Sequence, residues 1–217
     1  MLFLNFSQDR EMNGSSSRAK FLFALLVLWS VALVISGINP KDRLTWFLEV
    51  CPVLMVGPML WFTRTSFPLS RVIYLFIFIH GLVLMIGGHY TYAEVPAGFW
   101  TANLLGWSRN PFDRLGHLLQ GFVPALVIRE MLMRWRVVKD GRWTFFITVC
   151  ICLSVSAFYE FIEWWSALLL GQEAEAFLGT QGDPWDTQWD MFMATVGALA
   201  AQLLIPSVAE GPAKDRR

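Results

Sequence analysis

The chain has 217 residues, 55% of them hydrophobic and 16% charged, and its 17 Lys and Arg balance its 17 Asp and Glu. Zero net charge, with no basic run carrying interleaved stacking residues, leaves no electrostatic footprint for nucleic acid. The charges cluster between long apolar runs, which excludes an ordinary soluble fold and leaves little chain for a soluble domain.

Six runs reach the roughly 20 residues that a hydrocarbon core of about 30 Å requires: 20–38, 44–63, 71–88, 113–133, 143–168 and 188–206. The prediction is all-α, a polytopic bundle of six transmembrane helices over 19–206. A flexible cytoplasmic lead over 1–18 and a cytoplasmic tail over 207–217 flank it. The first run is longer than a signal-peptide core and is read as a retained anchor.

Span two carries Glu49 about one turn inside the outer interface, then Pro52 and Pro58, which neighbouring helices must accommodate. Span three holds His80 near mid-depth, read as a packing or hydrogen-bonding group, and His89 at its outer end. Its Gly81 and Gly88, one heptad apart, suit close helix packing. The connection 93–110 is expected to lie along the outer interface as a cap. Asn110, Pro111 and Asp113 then read as N-cap, N1 and N3 of span four, and Asp183, Pro184 and Asp186 repeat that grammar before span six. Span five brings Glu160 and Glu163 to the outer interface. Span six has a small-residue stripe at Ala194, Gly197, Ala198 and Ala201 that admits a neighbouring backbone.

Two distributions test the assignment. Ten of the eleven tryptophans lie near span ends or in loops, as the headgroup preference of Trp requires, and Trp29 alone is mid-span. The three cysteines fall inside spans in no disulfide or zinc pattern. The 134–142 loop has four basic residues and the 171–187 loop none, so the positive-inside rule predicts cytoplasmic termini and an outer 171–187 loop.

His89, Asp113, His117, Glu160, Glu163, Asp186 and Asp190 come from four spans yet share the outer third of the membrane. Ionisable residues at such depth are costly and face a partner, water or the bundle interior. Asp113 with His117 at i, i+4 and Glu160 with Glu163 at i, i+3 each present two ligands from one helix face, as metal-binding bundles do. The expected metal set is His117, Glu160, Glu163, Asp190, Asp113 and His89, with Glu160, Asp190 and His117 as the catalytic groups. Structural readings stand beside this one: capping acids for Asp113, Asp183 and Asp186, an interfacial histidine for His89, and interhelical hydrogen bonding for the others. No nucleophile motif and no phosphate-loop or dinucleotide fingerprint is present.

The strings GGHYTYAEVP, FDRLGHLLQGF, SAFYEFIEWW and TQGDPWDTQWDM occur in order from about residue 80 to 200 and resemble the YjdF family of bacterial inner-membrane proteins. The resemblance implies a multi-pass inner-membrane protein with no established activity. A more distant similarity is to VanZ-like membrane proteins, through Asp113, His117, Glu160, Gln181, Asp190 and Gly197 in that order. The Arg which that pattern has before its last Asp is missing here, and Ala194 replaces its Asn. This second resemblance implies a place in the cell envelope and a lipid or lipid-linked substrate. Three functions follow as expectations: a divalent-cation hydrolase or transferase on such a substrate, a structural or partner-binding membrane protein, and a small-solute or ion transporter. The lipid bilayer is the one partner common to all three, nucleic acid is expected in none, and the sequence predicts no oligomeric state.

Overall fold

The computed structural model describes residues 2–171 and 175–205, with side chains over 16–171 and 177–205. The expected tail over 207–217 lies outside the described residues. Helices run α1 (Leu2–Ser36), α2 (Arg43–Thr63), α3 (Arg71–Tyr90), α4 (Pro96–Leu105), α5 (Phe112–Arg134), α6 (Gly141–Leu170), α7 (Glu175–Leu178) and α8 (Asp186–Leu204), with one 3-10 turn at Tyr92–Glu94. Among the described residues there is no strand. The helix α1 begins at Leu2 and includes the NGSSSR stretch that the sequence reading takes as a flexible lead. A helix already nucleated by the apolar 20–36 segment gains one hydrogen bond per residue as it extends.

Several starts follow capping chemistry. Asp42 accepts from the Thr45 amide at 2.6 Å, Ser70 from Ile73 at 3.2 Å and Asp140 from Arg142 at 2.7 Å, satisfying donors that a first turn leaves unpaired. Gly106, at φ 68°, ends α4 in the left-handed region. That helix exposes Trp100 and Leu104, so the stretch expected as a cap contains a short helix with an exposed apolar face.

Four helical stretches are long and apolar enough to cross a membrane: Ser16–Ser36, Arg43–Thr63, Arg71–Tyr90 and Gly141–Leu170. Only 6% of the first is buried inside the protein, against 39% of the third. The helices α5 and α8 have the length but are more polar, α5 carrying six ionisable residues and α8 two, Asp186 and Asp190. They form the most extensive helix pair of the molecule, and α3 and α6 pack around them. The predicted small-residue stripe explains this closeness. Ala194, Ala198 and Ala201 are fully buried, and a Cβ placed on Gly121 would overlap the Ala194 carbonyl, as one on Gly197 would overlap the Leu118 carbonyl. Backbone meets backbone there, as small residues permit in an apolar medium.

Trp29, the mid-span exception, lies over Gly81 of α3, where a Cβ would strike its ring. Trp100, Trp135, Trp143 and Trp185, by contrast, are exposed, as headgroup-level residues should be.

At the C-terminal end of α5, Glu130 is fully buried and pairs with Arg134 at 3.1 Å. Arg134 also donates to the Pro68 carbonyl at 2.9 Å and covers the Phe67 ring, while Arg18 donates to the Leu69 carbonyl. The α2–α3 loop is thereby tied to α5.

Candidate metal centre

At the N-terminal ends of α5 and α8 this pair and α6 bring their acids together. Asp113, His117 and Asp190 each offer a ligand atom, all within 4.8 Å of one another, and His117, Glu160 and Glu163 form a second such group. His117 belongs to both. Its Nδ1 lies 2.9 Å from Gln120 Oε1, so Nδ1 donates, and in a neutral ring Nε2 would be the ligating nitrogen, the usual way an outer hydrogen bond orients a histidine ligand. Nε2 faces Asp113 Oδ1 at 3.4 Å and Asp190 Oδ1 at 3.9 Å.

The position of His117 follows from the sequence in two ways. The i, i+4 spacing puts it on the Asp113 face of α5. The glycine and alanine contacts then bring Asp190 of α8 alongside. Asp113, His117, Glu160 and Asp190 are each at most 8% exposed. Both carboxylate oxygens of Glu160 are buried and neither makes a hydrogen bond of normal geometry, the Thr187 side chain approaching only loosely.

The expected capping boxes do not form. Pro111 is the N-cap of α5 and Trp185 that of α8, and neither makes a side-chain cap bond. Asn110 Oδ1 does accept from the Phe112 amide at 3.0 Å, and Asp183 Oδ1 from the Trp185 amide at 2.9 Å. Asp113 and Asp186 are drawn instead to two arginines. Arg109 pairs with Asp113 at 3.3 Å, Asp183 at 3.5 Å and Asp186. Arg114 reaches Asp183 at 2.9 Å and both Asp186 and Asp190 at 3.7 Å. A charge-assisted bond to a poorly solvated guanidinium outcompetes a cap on a neutral amide. A reciprocal amide pair completes the clamp, with the Asn110 amide donating to Gln181 Oε1 and Gln181 Nε2 to the Asn110 carbonyl, both at 3.0 Å.

His89 is not brought to the centre. Its Nδ1 bonds the Ser36 carbonyl at 2.9 Å and its ring packs edge-on against Tyr90, so it ties α3 to the end of α1. Among the described residues it joins neither ligand group. Its expected place among the metal ligands is therefore corrected, because sharing a depth does not fix which way a helix face points.

Three groups absent from the expected site belong beside it. Glu49 of α2 is buried and its Oε2 accepts from the Tyr159 hydroxyl at 3.2 Å. His80 keeps Nε2 buried and unpartnered. Glu49, Tyr159 and His80 line, with Asp113, His117 and Glu163, one cavity of about 340 Å³. Its remaining walls are mostly apolar and include Val53, Val56, Met59, Val123 and Val127. The depth of Glu49 was a visible signal. His80 was visible too, but its orientation toward a cavity was not.

Around the centre stand Glu49, Asp113, Glu160, Glu163, Asp183, Asp186 and Asp190, against the guanidinium groups of Arg109 and Arg114. This excess of buried acid favours a bound cation or proton over an anion.

A family model described as a predicted membrane protein, DUF2238, matches residues 21–210. The inner membrane protein YjdF of Escherichia coli K12 is 50% identical over 176 residues, which cover 81% of this chain and 84% of that protein. No solved structure matches the chain. Together with the long apolar helices, these likenesses make this a multi-pass protein of the bacterial inner membrane, and the chain belongs to the DUF2238 family of predicted membrane proteins that YjdF represents.

Proposed function

We propose that the protein is a membrane-embedded hydrolase or transferase acting on an envelope lipid or lipid-linked substrate with the help of a divalent cation. The cation would be held by His117 with Asp113, Asp190, Glu160 and Glu163. The observation that carries this reading is Glu160, whose two buried oxygens make no hydrogen bond of normal geometry while His117 and Glu163 offer ligand atoms beside it. A buried carboxylate so poorly partnered is costly, and a cation removes that cost. A divalent cation bound there would polarise a phosphate or ester oxygen and lower the pKa of a water. The chain's own groups do the remainder. Gln120 holds the His117 ring, Arg109 and Arg114 fix the loop that carries Asp183 and Asp186, and Glu160, which neither arginine pairs with, is the proton acceptor.

In this reading all six long helices cross the membrane, and 19–206 is the transmembrane domain. The polar α5 and α8 form the inner pair, shielded by α3 and α6 on one side and by each other on the rest. Both termini are cytoplasmic and the 171–187 loop is outside. The site then meets the outer leaflet, where an amphipathic substrate presents its headgroup.

The test is a conversion assay. Purified wild-type protein is incubated with a bacterial envelope lipid extract and Mg²⁺, Mn²⁺ or Zn²⁺, and lipid species are followed by mass spectrometry beside Glu160→Gln and Asp190→Asn. Appearance of a new species that chelation and both substitutions abolish is expected. An extract unchanged under every cation would contradict the enzyme. The reach of the cavity past His80 favours a second reading, a small-solute or ion pathway, which cation or proton flux in proteoliposomes would reveal.

A further inference from the structure

The cavity beneath the acidic cluster is closed along α3 and α5 and open on another side. Ile77 of α3 and Val123 of α5 are 8% and 3% exposed, so those walls are sealed. On the open side α2 packs on α3 and on the short α7, while α6 packs on α5, α7 and α8. Met59 of α2 and Val155 of α6 line the cavity although they are 55% and 46% exposed. A residue that is both lining and exposed marks an opening, here a slot between α2 and α6. The Tyr159 hydroxyl donating to Glu49 spans that slot at its outer end.

We propose that this slot admits one hydrocarbon chain of a bilayer lipid sideways into the cavity, with the lipid headgroup left at the His117 cluster. The inference rests on the membrane placement and lipid substrate proposed above, and names how the substrate is seated. Dimensions and polarity carry it. From Glu49 to Met59, α2 advances ten residues, about 15 Å at 1.5 Å per residue. That is the hydrocarbon thickness of one leaflet, half of about 30 Å. The cavity is polar where Glu49, His117, Tyr159 and Glu163 meet and apolar through Val53, Val56, Val127 and Ile128. An amphiphile has the same division. A water-soluble substrate would leave the apolar part unfilled, and a partner helix is too wide for a space of about 340 Å³. Glu49 and Tyr159 are positioning residues at the upper rim, where the chain meets the headgroup.

Full-length protein is reconstituted into phosphatidylethanolamine and phosphatidylglycerol vesicles containing a trace of phospholipid with a photoactivatable diazirine. The diazirine is placed either at the chain terminus or next to the headgroup, and labelled peptides are mapped by mass spectrometry. The expected result is enrichment of the chain-end probe on Val56, Met59 and Val127 above the exposed Leu203 and Leu204 of α8, with the headgroup-proximal probe near Tyr159. Val155→Trp at the rim, or Val127→Trp from the opposite wall, should reduce slot labelling to the Leu204 level while metal content is unchanged. Chain-end labelling no greater in the slot than at Leu204, or unaltered by both tryptophans, would overturn the proposal. Metal is measured on the same samples. Slot labelling that persists in metal-stripped protein supports the chain site even where the catalytic reading fails. Its absence from metal-loaded protein overturns the chain site alone.

Discussion

The two ends of α5 meet the same problem with opposite solutions. At the C-terminal end Glu130 is fully buried, but Arg134 sits one turn away and ties it to the α2–α3 loop. At the N-terminal end seven carboxylates share two arginines, and those arginines are spent on Asp113, Asp183, Asp186 and Asp190. Glu160 is left without a hydrogen bond of normal geometry. A buried acid supplied with a basic partner in the chain holds elements together. A group of acids left short of partners, around a histidine, is built to receive something from outside.

The comparison yields graded expectations. The largest effect should come from Gly121→Leu, which would force the Ala194 carbonyl away from α5 and separate the helices on which both ends depend. Overpacking alone costs about 1–3 kcal/mol, and here backbone must move. Loss of monodisperse protein in size-exclusion chromatography is expected, and a wild-type elution profile and melting curve would contradict the close approach. Next in size, Glu130→Ala should lower stability by about 2–3 kcal/mol, because it removes a charge-assisted bond to Arg134 and leaves a void at a fully buried position. Thermal unfolding in detergent measures it, and the variant that folds should keep its metal.

Glu160→Gln should behave inversely. The amide keeps the shape but neither ligates a hard cation well nor takes a proton, so the cellular role should fail while melting stays at or slightly above wild type. Full complementation together with an unchanged melting point would assign Glu160 to packing. A smaller loss, about 1 kcal/mol, is expected for Arg114→Gln, since Arg109 still holds Asp183 and Asp186. Faster amide exchange over residues 180–186 would report it.

The smallest effect belongs to Asp140→Ala at the start of α6. The Arg142 amide and guanidinium hold the Asp140 carboxyl below its ordinary range. A depressed folded-state value means that the contribution is present above the unfolded pKa and fades as pH falls through the folded one. The variant and wild type should therefore converge in melting temperature at strongly acidic pH and differ slightly at neutral pH.

Much of this was legible in the sequence. The helix positions, the small-residue stripe of α8 and the meeting of His117, Asp113, Asp190, Glu160 and Glu163 follow from hydrophobic run length, spacing and common depth. What depth does not supply is rotation about a helix axis. His89 therefore turned toward Ser36, and Glu49 and His80 turned toward the cavity unannounced. Nor could spacing tell that Asp113 and Asp186 would leave their caps, because their competitors, Arg109 and Arg114, are placed by the tertiary contact between the 180–186 loop and α5. The two arginines are the fasteners of that loop.

The topological part of the proposal has its own check, in labelling of intact cells with a membrane-impermeant thiol reagent. On a background without the three native cysteines, Thr180→Cys should label and Lys139→Cys should not. The reverse pattern would move the centre to the cytoplasmic face.

The central claim, that the outer acids hold a cation, is met most directly by elemental analysis of protein purified in detergent without chelators, wild type beside Glu160→Gln. The account predicts about one or more divalent cations per chain in the wild type and a clear loss in the variant. Equal, near-zero metal in both, with both proteins folded, would contradict it.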